Sequence, residues 1–204
     1  ATGDLLVFTD PDCVPADDWL ERLTAARAQG LSAMVGAMGL REHSWLEEGI
    51  HLCKFHWLLP GLPPTRKRCA PTANAAYSRS LWERIGPFEG RYFAGDGILS
   101  WRATAAGAPP VFVPQAVVIH RHGDPVAAFC RQRFRRGVEY ALVRLRFQGG
   151  AATRLHLLFG WVLLPWVLVR AGWDACRAGW SGAFVRTLPV QVLGHGLWAA
   201  GECC

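Results

Sequence analysis

Short apolar runs alternate with polar, helix-forming stretches through the first 120 residues, and long apolar segments replace them after Leu155. Leu5-Leu6-Val7-Phe8 is an uncharged run of strand-forming residues that stops at Thr9-Asp10-Pro11-Asp12, and it predicts a buried strand. Acidic residues at Asp17, Asp18 and Glu21, with Gly30 closing the pattern, predict a helix over about Ala16 to Gln29. Ser32 to Leu40 is short, apolar and glycine-bounded, and predicts a second strand in the same sheet. Trp45 to Leu59 is loosely amphipathic, and the prolines and cations of Pro60 to Arg68 make that stretch an exposed loop. Pro71 to Arg79 reads as a strand of small residues, which let a ligand approach the backbone, passing into a helix through Leu81 to Ile85 and a break at Gly86-Pro87. Phe88 to Phe93 leads into Gly95 to Arg102, which turns helical and ends near Gly107. Pro110 to Pro114 and Gln115 to His120 read as two further strands.

Pro125 to about Phe147 predicts a basic helix in which Phe129, Phe134, Val138, Leu142 and Leu145 interleave with arginines, as in helices that lie along a membrane surface. Leu155 to Val169 carries no formal charge beyond a neutral His156. Its fifteen residues span about 22 Å as a helix against roughly 30 Å of hydrocarbon, and Pro165 is expected to kink it. Leu188 to Ala200 is a weaker apolar segment. Arg170, Arg177 and Arg186 lie between the two, so a full crossing by the first would break the positive-inside rule, and a shallow or re-entrant hairpin competes with two spans.

Composition sharpens this division. With 204 residues the chain fits one domain plus an appendage, and 51% hydrophobic residues with a mean hydropathy of +0.13 point to a soluble part followed by a membrane part. The expected organisation is a soluble part over 1–124, a basic interfacial helix over 125–150 and membrane-associated helices over 151–204. The net charge of +6 is nearly all arginine, and the group Arg131, Arg133, Arg135, Arg136, Arg144 and Arg146 adjoins the apolar tail. That placement favours membrane lipid over nucleic acid, for which no motif is present. Seven cysteines without a double CxxC pattern read as reduced thiols of a cytosolic compartment.

Asp10 and Asp12 follow a strand at its carboxyl end, where open α/β sheets bind ligands. Such a pair can hold Mg²⁺ or Mn²⁺ against a diphosphate. The plain alternative is an Asp-Pro turn with Asp12 capping the next helix. Asp96 opens a helix and, taken alone, is a favourable charge there. His120 ends the last strand, either as a ligand or as a polar exit from the core. Trp101 reads as packing.

The order of these motifs resembles the family-2 inverting glycosyltransferases of the GT-A fold over about Gly3 to His122. Asp10-Pro11-Asp12 matches the family's DxD element, with Cys13, Pro15 and Trp19-Leu20 in the expected places. Ala73-Asn74-Ala75, then Arg79 and Gly86-Pro87-Phe88, match its small-residue segment on the acceptor side. Gly95-Asp96 with Arg102 matches its Glu-Asp motif, except that Gly95 replaces the glutamate. Gln132-Arg133-Phe134-Arg135-Arg136 only partly matches the Gln-x-x-Arg-Trp element, which argues against a processive synthase.

The resemblance implies an α/β fold, a partial Rossmann-like GT-A sheet with flanking helices, followed by the basic helix and the hydrophobic helices. It implies transfer from a nucleotide-sugar donor to a hydroxyl acceptor with inversion, with a lipid-linked or polysaccharide acceptor in envelope synthesis. Asp96 would be the catalytic base; Asp10, Asp12 and His120 would hold Mg²⁺ or Mn²⁺ and the donor diphosphate; Asn74, Gly95, Trp101 and Arg102 would line the acceptor side. The expected location is the cell membrane with the catalytic part cytoplasmic. The family's nucleoside pocket comes from an upstream half, so these residues alone are expected neither to transfer sugar nor to bind a nucleotide tightly. Two other readings stay open. Asp10-Pro11-Asp12-Cys13-Val14 also resembles the DxDx(T/V) motif of haloacid-dehalogenase-like phosphatases, with Asp10 as nucleophile and Asp12 as acid/base, although Ser100 stands where a later acidic residue belongs. The third is a non-catalytic, membrane-anchored remnant.

Overall fold

The computed structural model describes residues 2–41, 43–90, 94–123 and 125–204, without the side chains of Ala152 and His156. The end of the expected Phe88–Phe93 lead-in, at 91–93, lies outside the described residues, as does the side chain of His156. The chain forms two compact units. One comprises 1–41, 58–91 and 95–121; the other comprises 42–57, 92–94 and 122–204.

The first unit is built on five strands: β1 (Leu5–Phe8), β2 (Cys13–Pro15), β3 (Ala33–Gly39), β4 (Ala75–Ser78) and β5 (Val111–His120), in the order β1-β4-β3-β5-β2. The sheet is mixed. β3 and β5 run parallel, and every other neighbouring pair is antiparallel. The expected Rossmann-like character is thus confined to one pair. β3 is buried along its whole length, which suits its central place and its small and apolar side chains. Helix α1 (Trp19–Ala28) lays Leu23 and Ala26 over Met34, Ala76, Val113 and Ala116. Burying a leucine such as Leu23 contributes roughly 1.5–3 kcal/mol.

The two strands expected at 110–120 are one, with an irregularity. Gly36 pairs with Val113 but Ala37 pairs with Val117, so Pro114-Gln115-Ala116 bulge out of the β3–β5 ladder. The loop at 60–68 is less free than its composition suggests. Lys67 donates its N–H to Pro110 O (2.8 Å) and Phe112 donates to Thr65 O (2.8 Å), beside a bridge between Arg66 and Val111.

In the second unit, α2 (Trp45–Phe55) packs with C-terminal helices, chiefly α9 (Leu188–Glu202). Ser44 and Glu47 close a reciprocal capping box at the start of α2. Ile50, Cys53, Phe129 and Val190 form the core of this unit. Between α2 and α9 in sequence, the chain adds to the first unit α3 (Arg79–Ile85) and α4 (Gly95–Ala105). The second unit then takes α5 (Val126–Phe147), α6 (Gly150–Phe159), α7 (Leu164–Arg177) and α8 (Ser181–Arg186). The basic helix expected from 125 to 147 is therefore present as α5. Pro165 does not interrupt a helix; it lies in the first turn of α7, where its missing N–H costs nothing.

α5 and α9 meet backbone to backbone. A Cβ at Gly137 would run into Trp198 O, and one at Gly201 into Phe134 O. Arg133 is buried in this contact, donating from Nε to Gly194 O (3.1 Å) with its guanidinium 4.5 Å from the centre of the Trp198 ring. Among the described residues one run, Thr153–Arg177, is long and apolar enough to cross a membrane by length and composition. Most of its large side chains are exposed, including Trp161, Trp166 (64%) and Trp173 (65%).

Candidate functional site

β1 ends at Phe8, whose ring stacks on Trp82 and meets Phe88 edge-on, both at 5.2 Å. This cluster ties the end of β1 to α3 and to the turn that leads toward α4. Gly86, at φ +82°, allows the chain to leave α3 there. After Phe8 the chain turns at Asp10 to Cys13, closed by the Cys13 N–H donating to Asp10 O (3.1 Å).

The turn feeds β2, which pairs antiparallel with the end of β5, Cys13 directly opposite His120. Arg121 N–H then donates to Asp12 O (2.9 Å), extending the zipper past the strands. Residues far apart in sequence thus meet. His120 Nε2 lies 3.6 Å from Asp12 Oδ2, and Cys13 Sγ lies 3.6 Å from Asp12 Oδ1. The ligand atoms of Asp12, Cys13 and His120 all fall within 4.8 Å of one another. Asp12 is exposed, whereas Cys13 and His120 are buried, so the cluster opens to solvent on its carboxylate side. Burial, then the Asp12 carboxylate, push the Cys13 thiol up to about 12.

Of the three expected metal ligands, Asp12 and His120 come together, and Asp10 is half-buried outside the three-residue group. Asp12 does not cap α1; the cap position is Asp18, whose carboxylate accepts from Arg22 Nε (2.9 Å). Sequence reasoning did not assign Cys13 to the group. Its position beside Asp12 was the available signal, but only the β2–β5 pairing turns it toward His120.

Asp96 lies in the first turn of α4, half-buried, its Oδ1 accepting from Gly97 N–H (2.7 Å). That turn is held by Ser100, which is fully buried. Ser100 Oγ donates to Asp96 O (2.8 Å), accepts Ala70 N–H (2.9 Å) and lies 3.3 Å from the Tyr77 hydroxyl. Burial, the largest effect, raises the Tyr77 hydroxyl well above its ordinary range. A Cβ at Gly95 would sit 3.2 Å from Glu89 O, so the residue in the glutamate's place packs tightly on the backbone. Arg102 turns back to the same segment, donating from Nη1 to Pro87 O (3.2 Å) and lying 3.5 Å from Glu89. Trp101 is half-buried on α4.

Asn74, expected on the acceptor side, turns its side chain into the sheet. It is fully buried in the short 3₁₀ turn before β4. Its Nδ2 donates to Ala37 O and Ala116 O, both at 2.9 Å, and its Oδ1 accepts from Trp19 Nε1 at 2.8 Å. Both carbonyls border the bulge, so the amide supplies donors there. The space next to it is held open by Gly36, where a Cβ would meet Ala116 O and the amide.

No family model matches the chain. It is 24% identical over 181 residues to the pre-mycofactocin glycosyltransferase of Mycobacterium tuberculosis, covering 84% of this chain and 38% of that protein. It is 27% identical over 202 residues to the succinoglycan biosynthesis protein ExoM of Rhizobium meliloti, covering 93% of this chain and 58% of that one. The chain therefore spans well under two thirds of the length of these curated relatives. Among solved structures it resembles the mannosyltransferase PcManGT of Pyrobaculum calidifontis, captured with GDP-Man and Mn²⁺. The TM-score is 0.51 at 17% identity, over 94% of this chain and 63% of that chain. Together these support a glycosyltransferase fold.

Proposed function

We propose that this chain forms the metal-assisted, acceptor-activating part of an inverting, family-2-like glycosyltransferase that works at a membrane surface on a nucleotide-sugar donor and a hydroxyl acceptor. The observation that carries the reading is the meeting of Asp12 and His120, which the β2–β5 pairing brings to one solvent-open edge of a glycosyltransferase-like sheet. Asp12 and His120 suit a divalent ion, and bound there it would act as a Lewis acid on the departing diphosphate. Asp96 would take the proton of the acceptor hydroxyl as that oxygen attacks the anomeric carbon from the face opposite the diphosphate, so configuration inverts. The hydrogen bond from Gly97 N–H holds its carboxylate in the first turn of α4.

The phosphatase alternative has less support. Ser100, at the position where that family needs an acidic group, is buried and hydrogen-bonded into the α4 turn. Membrane association is supported by the exposed apolar side chains of α6 and α7 and by the neighbouring arginines of α5. An acceptor in envelope synthesis, lipid-linked or polysaccharide, and a cytoplasmic site belong to the same proposal.

Mn²⁺ binding followed by electron paramagnetic resonance tests the site, with Asp12→Ala expected to remove it. Wild-type affinity in that variant sinks the assignment. In the intact enzyme, Asp96→Asn should lower turnover by about 10²–10⁴-fold while donor binding persists, and the product anomer read by NMR reports inversion. Near-normal turnover in that variant places the base elsewhere.

A further inference from the structure

We infer that Cys13 is a third metal ligand, which makes the Asp12–His120 site a mixed nitrogen, oxygen and sulfur centre that takes Zn²⁺ or Co²⁺ more tightly than Mn²⁺ or Mg²⁺. The inference rests on the reading of Asp12 and His120 as metal ligands. Its own support is the position of the sulfur. Cys13 and His120 are direct cross-strand partners, so their side chains leave the same face of the sheet at short range. Asp12 lies in the turn just outside β2, which frees its carboxylate to reach both neighbours, at 3.6 Å from each.

The two 3.6 Å contacts use different oxygens of Asp12, Oδ1 toward Cys13 and Oδ2 toward His120, so one oxygen must move in between the sulfur and the nitrogen to serve a small tetrahedral ion. With Zn–S near 2.3 Å and Zn–N and Zn–O near 2.0–2.2 Å, ligand atoms of a tetrahedral centre lie roughly 3.3–3.6 Å apart. The three atoms here, within 4.8 Å of one another, need only a small contraction to reach that arrangement. Mg²⁺ by contrast wants near-octahedral oxygen ligation, and a thiolate is a soft donor that selects Zn²⁺-like ions. Three protein ligands leave a fourth position open toward the exposed Asp12 side, where water or a phosphate oxygen can sit. Ligation releases the thiol proton to solvent as the Cys13–metal bond forms. Zn²⁺ would then compete with Mn²⁺ for a site that the transfer reaction needs, and the cysteine would set which ion wins.

The experiment uses the full chain with the exposed Cys176, Cys203 and Cys204 and the half-buried Cys69 and Cys130 changed to serine, so that other accessible thiols do not report. Co²⁺ titration should produce thiolate-to-metal charge-transfer absorption in the near ultraviolet, lost in Cys13→Ser. The same substitution should weaken Zn²⁺ binding on the order of 100-fold and leave Mn²⁺ binding within about twofold. Co²⁺ bound with Asp12-dependent visible bands but no charge transfer overturns the sulfur ligand and leaves the Asp12–His120 reading standing. Failure of both Co²⁺ and Mn²⁺ to bind overturns both. The charge-transfer band of the unsubstituted Cys13 decides the matter even where Cys13→Ser folds poorly.

Discussion

Replacing Asn74 with alanine should unfold the first unit more readily rather than weaken acceptor binding. The side chain provides three hydrogen bonds, two donated to Ala37 O and Ala116 O and one accepted from the Trp19 indole, at 2.8–2.9 Å. Alanine leaves all three partners without it. A buried polar group stripped of its partner costs about 1–3 kcal/mol. The two carbonyls border the bulge between β3 and β5, while Trp19 is only half-buried and its N–H can reach water. The expected loss is about 3–5 kcal/mol, near the lower figure where a water fills the vacated polar space. At about 2 kcal/mol per molar urea, that lowers the midpoint of unfolding by roughly 1.5–2.5 M with the slope unchanged.

Asn74→Asp separates the mechanism from simple loss of volume. The carboxylate keeps the acceptor for Trp19 but turns an oxygen toward two carbonyl oxygens, so at pH 7 it should be less stable than Asn74→Ala. Acidification should narrow the gap, because a protonated carboxyl can donate to one of the carbonyls. Urea unfolding followed by far-ultraviolet circular dichroism reads both variants. An Asn74→Ala protein within 1 kcal/mol of wild type, or an Asn74→Asp protein more stable than it at pH 7, would refute the view that the amide repairs the bulge.

On α9, Gly201→Ala should destabilise by several kcal/mol, about 3 or more, because the new methyl group meets Phe134 O, whereas Gly196→Ala, with open space around it, should stabilise by up to about 1 kcal/mol; equal thermal shifts would contradict the close α5–α9 contact. His195 is pushed down from 6.5 to about 3 by burial first, then by Arg133 and His56, so the folded chain holds it neutral while the unfolded chain takes up a proton below 6.5. Its contribution is present above pH 6.5 and is lost as pH falls toward 3, at most about 2 kcal/mol between pH 7 and pH 5; His195→Gln should flatten that slope in urea melts, and an unchanged slope removes His195 as its source. Vesicles with brominated acyl chains should quench tryptophan fluorescence less in a Trp166→Ser, Trp173→Ser protein, with binding falling as salt rises; undiminished quenching places the lipid contact away from α7.

What could be read from the chain alone was whatever its own neighbours in sequence determine. Leu5–Phe8, Ala33–Gly39, Trp19–Ala28 and Val126–Phe147 carry their periodicity or their end signals within themselves, and each appears close to where the pattern puts it. β2 has only three residues, one of them proline, and becomes a strand only because the end of β5 lies beside it. α2 is helical by its capping box, yet its place among C-terminal helices is hidden by polar residues on its buried face. Glu48 is buried against Arg186 Nη2 at 2.6 Å, and His51 Nδ1 lies 3.1 Å from His122 Nε2, contacts that no local hydrophobic pattern contains.

The candidate site divides along the same line. Asp12 and Asp96 were visible because a carboxylate after a strand or at a helix start has a local signature. The hydrogen bonds of Asn74 and the place of Cys13 depend on register. Shifting β3 against β5 by one residue would carry Ala37 O away from Asn74, and shifting β2 by one would turn Cys13 to the face opposite His120. A motif can therefore nominate the residues of such a site, but strand pairing decides which of them face the ion and which hold the sheet that carries it.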